Sequence, residues 1–495
     1  MINLKWLISE SCWKIRVRLA LFGIIVLGAA LRLWGLDIQS FWNDELGGWV
    51  MSHQQSLGAV VSEAARIDFH PPGYHIFQYF IEKCGSSEVI LRLPAAICGT
   101  LSIGVVFLVG RRLFSWREGL VAALLMALLK CPIYYSQEAR PYAMLLLLSL
   151  LAVYFWLSIV QDLLVKGKIV LLDCGVYLLI AVIICYLHYY GVLLVVLQGV
   201  TAALFYCRER KGFFFLGVLY SIVFLAYVPW ISVGLHHAHQ LASAPSRPVG
   251  IIETYNMYLK FIFNDSQWLV LFVVVVYFLM LLGCLCTHAK RDKENELLLF
   301  GWLIVPFLGV YFISYFTPLH ILKNYCLIIS LPAAYLLLAR SVVLSSMSPF
   351  IKVIGVTAVS LGLLYHLVFG LKYYSEPKKT QFREAVAFVT QNDRLLKGSV
   401  ILGSLWVPRN ADYYFQRQHS DRRIEYNIYD KDQKLKASGM LAHQFPENIW
   451  YIYLDVKADQ EFIDLMMTQM KVVEFKKFVG GGVYLFQKKG LKNES

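Results

Sequence analysis

Apolar runs of about 20 residues recur through the first three quarters of this chain, and no other feature constrains its fold as tightly. A helix needs about that length to cross a hydrocarbon core roughly 30 Å thick. The runs are Val17–Leu36, Val89–Phe107, Leu120–Ile133, Ala143–Val160, Ile169–Leu187, Tyr189–Tyr206, Phe213–Leu235, Trp268–Cys286, Leu297–Phe316, Ile321–Leu338 and Phe350–Leu371. With 58% hydrophobic and only 16% charged residues in 495, and a mean hydropathy of +0.57, a soluble fold is excluded. The expectation is a polytopic α-helical membrane protein with about eleven transmembrane helices. The first run lacks a small-residue cleavage site and reads as a retained helix.

Lysine and arginine clusters fall in every second connection: Lys14/Arg16/Arg18, Arg111/Arg112/Arg117, Lys166/Lys168, Arg208/Arg210/Lys211, Lys290/Arg291/Lys293 and Arg340/Lys352. Short basic loops stay cytoplasmic, so the N-terminus is expected inside and everything after Leu371 outside. The net charge of +13 thus reports topology and gives no sign of a nucleic-acid partner. Of ten cysteines none follows Cys326, so the exported part has no disulfide framework and no cysteine metal site is expected. From Lys372 onward the composition turns polar. QFREAVAFVTQN reads as an amphipathic helix, and SVILGSLW, NIWYIYLDV and GGGVYLFQ read as strands. Two domains follow: a transmembrane domain over 1–371, with a first outer loop from Asp37 to about Ser87, and a small extracytoplasmic α/β domain over 372–495.

Polar residues that hydropathy does not require cluster at the outer ends of the spans. In the first loop Asp44 and Glu45 open a stretch that reads as a surface-lying helix. They serve either as N-terminal caps or as reactive carboxylates, and adjacent helical residues diverge by about 100°, so only one faces a given atom. His70-Pro71-Pro72 fixes an imidazole on a rigid turn, with His75 nearby, or forms a solvated interfacial loop. Gln137, Glu138 and Arg140 lie in CPIYYSQEARPYA at membrane depth, where ionisable groups default to function. Glu138 and Arg140 either neutralise one another or leave the guanidinium to grip a phosphate. His188-Tyr189-Tyr190, and His320 with Lys323, sit at other outer ends, as interfacial anchors or as ligands. Asp412-Tyr413-Tyr414 is expected on the membrane-facing side of the tail domain.

Taken in order, Asp44-Glu45, HPPGYHIF, RLPAAICGTLSIGVVFLVGRRLF, YYSQEARPYAMLLLLSLLA and HYYGVLLVVLQ resemble the family 39 membrane glycosyltransferases, of the dolichyl-phosphate-mannose-protein mannosyltransferase and aminoarabinose transferase type. The resemblance runs from about Leu31 to Ala339. It implies the GT-C fold and an enzyme that moves a sugar from a polyprenyl-phosphate carrier to an acceptor, inverting the anomeric centre at the outer face. On it, Asp44 matches the catalytic base and Glu45 completes the pair. Arg140 matches the arginine of the SQEARPYA segment, and His70 stands where some relatives carry lysine. Lys323-Asn324-Tyr325 approximates an Arg-Tyr pair.

The chemistry asks for the same residue types. A base must take the acceptor hydroxyl's proton, and cations must receive the charge growing on the departing phosphate. Asp44 is the expected base, Arg140 and Lys323 the phosphate ligands and His70 a polar aid, with Glu138, His188 and Tyr325 in the donor site. No nucleotide loop occurs and no cofactor is required; a divalent metal is compatible but not demanded. The expected partners are the lipid-linked sugar, the bilayer and a glycan, lipid or protein acceptor, at the inner (plasma) membrane. A lipid-linked sugar transporter or flippase, or a glycan ligase, is the alternative; transporters place polar groups near the midplane and often carry repeats.

Overall fold

The computed structural model describes residues 4–166, 170–206, 210–243, 250, 252–253, 290–319, 321–393, 399–443 and 446–489. The eighth apolar run, Trp268–Cys286, and His320 lie outside the described residues. The chain forms two compact units. One comprises Met1–Trp34, Gln55–Gly85 and Ile90–Leu371; the other comprises Gly35–Gln54, Ser86–Val89 and Lys372–Ser495.

In chain order the helices are α1 (Leu4–Leu33), α2 (Asn43–Ser52), α3 (Leu57–Ile67), α4 (Gly73–Glu82), α5 (Glu88–Leu113), α6 (Trp116–Leu128) and α7 (Lys130–Ser136). Then follow α8 (Tyr142–Lys166), α9 (Leu171–Leu187), α10 (Tyr189–Thr201), α11 (Arg210–Ser243), α12 (Lys290–Phe316), α13 (Leu331–Leu344) and α14 (Pro349–Tyr365). Among the described residues six helices are long and apolar enough to cross a membrane: Glu88–Leu113, Tyr142–Leu163, Gly212–Ser243, Lys293–Phe316, Leu327–Leu344 and Pro349–Gly370. The bent pair α6–α7 makes a seventh if it is one span, and α9 and α10 are shorter apolar helices.

The third apolar run is broken: α6 and α7 meet at 60°. Pro132 has no N–H to return to the Leu128 carbonyl, and Leu129 goes extended (φ −71°, ψ 140°). A helix end at this depth must find other donors for its last carbonyls. Arg32 supplies them, donating Nη2 to Met126 O at 2.7 Å and Nη1 to Ala127 O at 3.3 Å, with Nε on Ser136 Oγ at 3.2 Å. Gln137 returns the favour to α1, its amide donating to Trp34 O at 2.7 Å and Arg32 O at 3.1 Å. Two of the polar residues at membrane depth are therefore helix caps. Deeper in the same unit, Arg340 is buried between Glu118 (2.9 Å) and Glu296 (3.1 Å), so its charge is neutralised within the bundle.

The second unit carries a five-stranded mixed sheet in the order β2-β1-β3-β5-β4. Its strands are β1 (Val400–Ser404), β2 (Tyr426–Asn427), β3 (Asn448–Leu454), β4 (Met470–Phe478) and β5 (Gly481–Lys488). β2, β1 and β3 run parallel, while β5 is antiparallel to β3 and β4. β1, β3 and β5 fall on the three strand-like runs and helix Phe382–Asp393 on the amphipathic one, while β4 carried no such signal. Gly35–Gln54 is built into this unit. Tyr414 Oη accepts the Phe41 N–H (2.6 Å), Asn410 Nδ2 donates to Asn43 Oδ1 (2.6 Å), and Ser40 Oγ donates to Thr380 O (2.9 Å). Tyr413 donates to Ser86 O at 2.6 Å and Tyr414 to Glu88, so both phenols are buried as ties within the unit.

Candidate functional site

Two clusters of polar residues stand out, one in each unit. In the helical unit, α3 begins at the Ser56 cap, whose Oγ accepts the Ala59 N–H, and ends at Asp68 in extended backbone. The two prolines then turn the chain into α4, whose first residue is Gly73. A Cβ there would lie 2.6 Å from the Tyr186 carbonyl, so only glycine lets α4 start against the end of α9. This approach places the rings of His70 and His188 edge to face at 5.0 Å.

His188 is extended (φ −162°, ψ 144°) between α9 and α10, and its Nδ1 accepts the Tyr190 N–H at 3.1 Å. It is buried, and that burial, then the charges of His70 and Arg140, hold its imidazole well below the usual range. His188 is therefore neutral, with its proton on Nε2. Arg140 is buried in the turn before α8, its guanidinium 5.9 Å from the Tyr142 ring centre, and Tyr142 in turn lies 6.1 Å from His188. Glu138 is fully buried in that turn. Lys323 is exposed and extended (φ −127°, ψ 137°), on a segment tied to α10 by Tyr190 Oη donating to Ile321 O at 2.9 Å. The side chain of Tyr325 lies outside the described residues.

Sequence reasoning passed over Asp68 and gave His75 little weight. The Asp68 carboxylate accepts His70 Nδ1–H at 2.9 Å and His75 Nε2–H on its other oxygen. Burial alone would raise this carboxyl, but the two imidazoles outweigh it and hold it well below the carboxylate range. The Asp-x-His spacing was the available signal.

In the other unit, Asp44 and Glu45 occupy the first turn of α2, where free N–H groups favour negative charge. Neither is the cap: that position is Trp42, with no side-chain bond. Glu45 is fully buried and pairs through Oε2 with Lys379 Nζ at 3.2 Å. The structure thus gives Glu45 an ion pair with the tail segment. A further carboxylate, Asp455, follows β3 in left-handed backbone (φ +59°). It accepts from Thr380 Oγ1 and the Asn43 N–H, and its Oδ2 is buried without a partner. Burial raises its carboxyl above the usual range, and the Asp44 charge adds to the rise against the Thr380 bond. Among the described residues no group of three or more His, Cys, Asp or Glu is placed to hold a metal.

Residues 69–232 match the family model of dolichyl-phosphate-mannose-protein mannosyltransferase. No curated protein matches the chain by sequence. Among solved structures, the fold matches ArnT from Cupriavidus metallidurans in the apo state with a TM-score of 0.61, at 13% identity over 96% of this chain and 98% of that one. ArnT bound to undecaprenyl phosphate matches with a TM-score of 0.57, at 12% identity over 93% and 97%. The oligosaccharyltransferase of Archaeoglobus fulgidus in the apo form gives 0.51, at 11% identity over 88% of this chain and 69% of that one. At these identities the likeness is one of fold. The polytopic helical fold followed by a small C-terminal α/β part, expected from the apolar runs and the polar tail, is the one observed.

Proposed function

We propose that this chain is an inverting glycosyltransferase that moves a sugar from a polyprenyl-phosphate carrier to an acceptor hydroxyl on the outer face of the membrane. The gathering of His70, His188 and Arg140 from three separate segments carries the reading. Such a set of nitrogen donors suits an anion, and a phosphate is the anion that a lipid carrier presents. The undecaprenyl phosphate bound by ArnT, a protein of the same fold, supports it. The alternation of basic connections supports an outward site.

In the proposed reaction the acceptor oxygen attacks the anomeric carbon as the carbon–oxygen bond to phosphate breaks, inverting that centre. Asp44 takes the hydroxyl proton, and the electron pair leaves with the lipid phosphate. Arg140, His70 and Lys323 receive that charge, with Glu138, His188 and Tyr325 around them. Single displacement needs one carboxylate, because the phosphate departs unprotonated, whereas hydrolytic glycosidases use two. Glu45 then serves by holding α2, through Lys379, in the position that presents its neighbour.

Mass spectrometry of polyprenyl-linked sugars tests the proposal, in cells carrying the native protein or Asp44→Asn at equal membrane abundance. Accumulation of one lipid-phosphate monosaccharide in the variant is the expected result. An unchanged lipid pool, with the native protein active in the same cells, would remove Asp44 as the base and favour transport over transfer.

A further inference from the structure

The loop between α3 and α4 holds a carboxylate that the reaction above does not use. Asp68 lies between two imidazoles, and the two are not equivalent. His75, on α4, is 1% exposed and its Nδ1 is buried without a partner. The Nε2 of that ring faces Asp68. The His70 side chain is 17% exposed, and its Nδ1 is the nitrogen Asp68 engages. Its Nε2 is the remaining place for a proton.

The groups that face His70 fix the sign of the effect. Asp68 comes from its own loop, His75 from α4 and His188 from the α9–α10 break, with Arg140 beyond His188. Tyr189, at the start of α10, also feels the Asp68 charge. His188 is neutral and Arg140 is a cation, and Asp68 is the carboxylate in direct contact with His70.

We infer that Asp68 is a positioning residue: it orients the His70 ring through Nδ1–H and balances an imidazolium whose Nε2–H is donated to the phosphate of the lipid carrier. This rests on the glycosyltransferase reading and deepens it. A histidine without such a counter-charge is mostly neutral at neutral pH. The carrier is then gripped most tightly when His70 holds both protons, and the grip loosens as the pH rises and Nε2 loses its own. A lysine at position 70 keeps its charge across that range and does not need Asp68.

The test is binding of undecaprenyl phosphate to the full-length protein in lipid nanodiscs, from about pH 5.5 to 8.5. The native protein, Asp68→Asn and His70→Lys are compared. The lipid's own phosphate monoester titrates near pH 6, and His70→Lys records that contribution alone. The native affinity is expected to fall about tenfold more than that of His70→Lys across the range, the loss of one charge-assisted hydrogen bond. Asp68→Asn is expected to bind weakly throughout, without that additional fall.

If Asp68→Asn keeps the native pH profile, the inference is overturned while the transferase reading stands. The same holds if His70→Lys shows the native profile, since the dependence then belongs to the lipid. This second comparison decides alone should Asp68→Asn fail to fold. A native protein that binds no undecaprenyl phosphate at any pH overturns the glycosyltransferase reading, and the inference with it.

Discussion

Asp44 and Glu45 are neighbours in sequence with different surroundings, and substitutions should separate them. Removing one member of a buried ion pair leaves the other charge stranded, at a cost of about 3–5 kcal/mol. Glu45→Gln removes the ion pair with Lys379 and is expected to lower the thermal unfolding midpoint of the purified protein. Asp44→Asn is expected to keep that midpoint and abolish sugar transfer. A Glu45→Gln protein with native stability and no transfer would show instead that Glu45 acts in the chemistry. At this scale the sequence was only half legible. Asp44, His70, Arg140 and His188 stood out because polar groups beside apolar runs need a reason. Lys379 and Asp455 did not, because nothing local marks a partner that folding brings from the far end of the chain. Gln137 was visible but misread in kind: a buried amide that caps the end of α1 looks, in sequence, like one that binds a ligand.

At the scale of elements, breaks and close approaches position the helical cluster. Arg32 holds the two halves of the bent pair by feeding the last carbonyls of α6. Hydrogen bonds from charged donors contribute about 1.5–3 kcal/mol each, so Arg32→Met should cost about 3 kcal/mol or more, read as a lower midpoint by scanning fluorimetry. An unchanged midpoint would mean that water or backbone rearrangement replaces the cap. Gly73→Ala should cost about 1–3 kcal/mol through overpacking and, on the proposed function, weaken binding of a polyprenyl phosphate, because the new methyl meets the Tyr186 carbonyl at 2.6 Å. Gly47, in α2, has open space around it. Gly47→Ala should therefore be neutral or stabilise by about 0.5–1 kcal/mol, as expected for a helix interior. Equal losses from the two substitutions would remove the close approach as the cause. The long helices were readable from apolar length alone, and three strands from alternation and β-branched content. The kink at Leu129 was not, because an apolar run reads the same straight or bent and Pro132 is compatible with either. β4 was missed because MKVVEFKKF carries charges on an exposed strand, where alternation has no buried face to follow.

At the scale of the whole molecule, the second unit is assembled from three stretches of chain, Gly35–Gln54, Ser86–Val89 and Lys372–Ser495. Phe41 and Leu46 are fully buried, and the ties to Tyr414, Asn410 and Thr380 bind their segment to the rest of the unit. Residues 372–495 expressed alone should therefore be less stable than the same residues linked to a Gly35–Gln54 peptide, as read by circular dichroism during urea unfolding. Equal midpoints would show that the tail needs no help from the early segment. The interleaving also sets an order in time. α2, which carries the proposed base, leaves the ribosome early, and the lysine that neutralises Glu45 is made several hundred residues later. At roughly 5–20 residues per second that interval lasts tens of seconds. Until the tail segment is made, Glu45 lacks the Lys379 ion pair, and the second unit is completed only after residues 90–371 have been added.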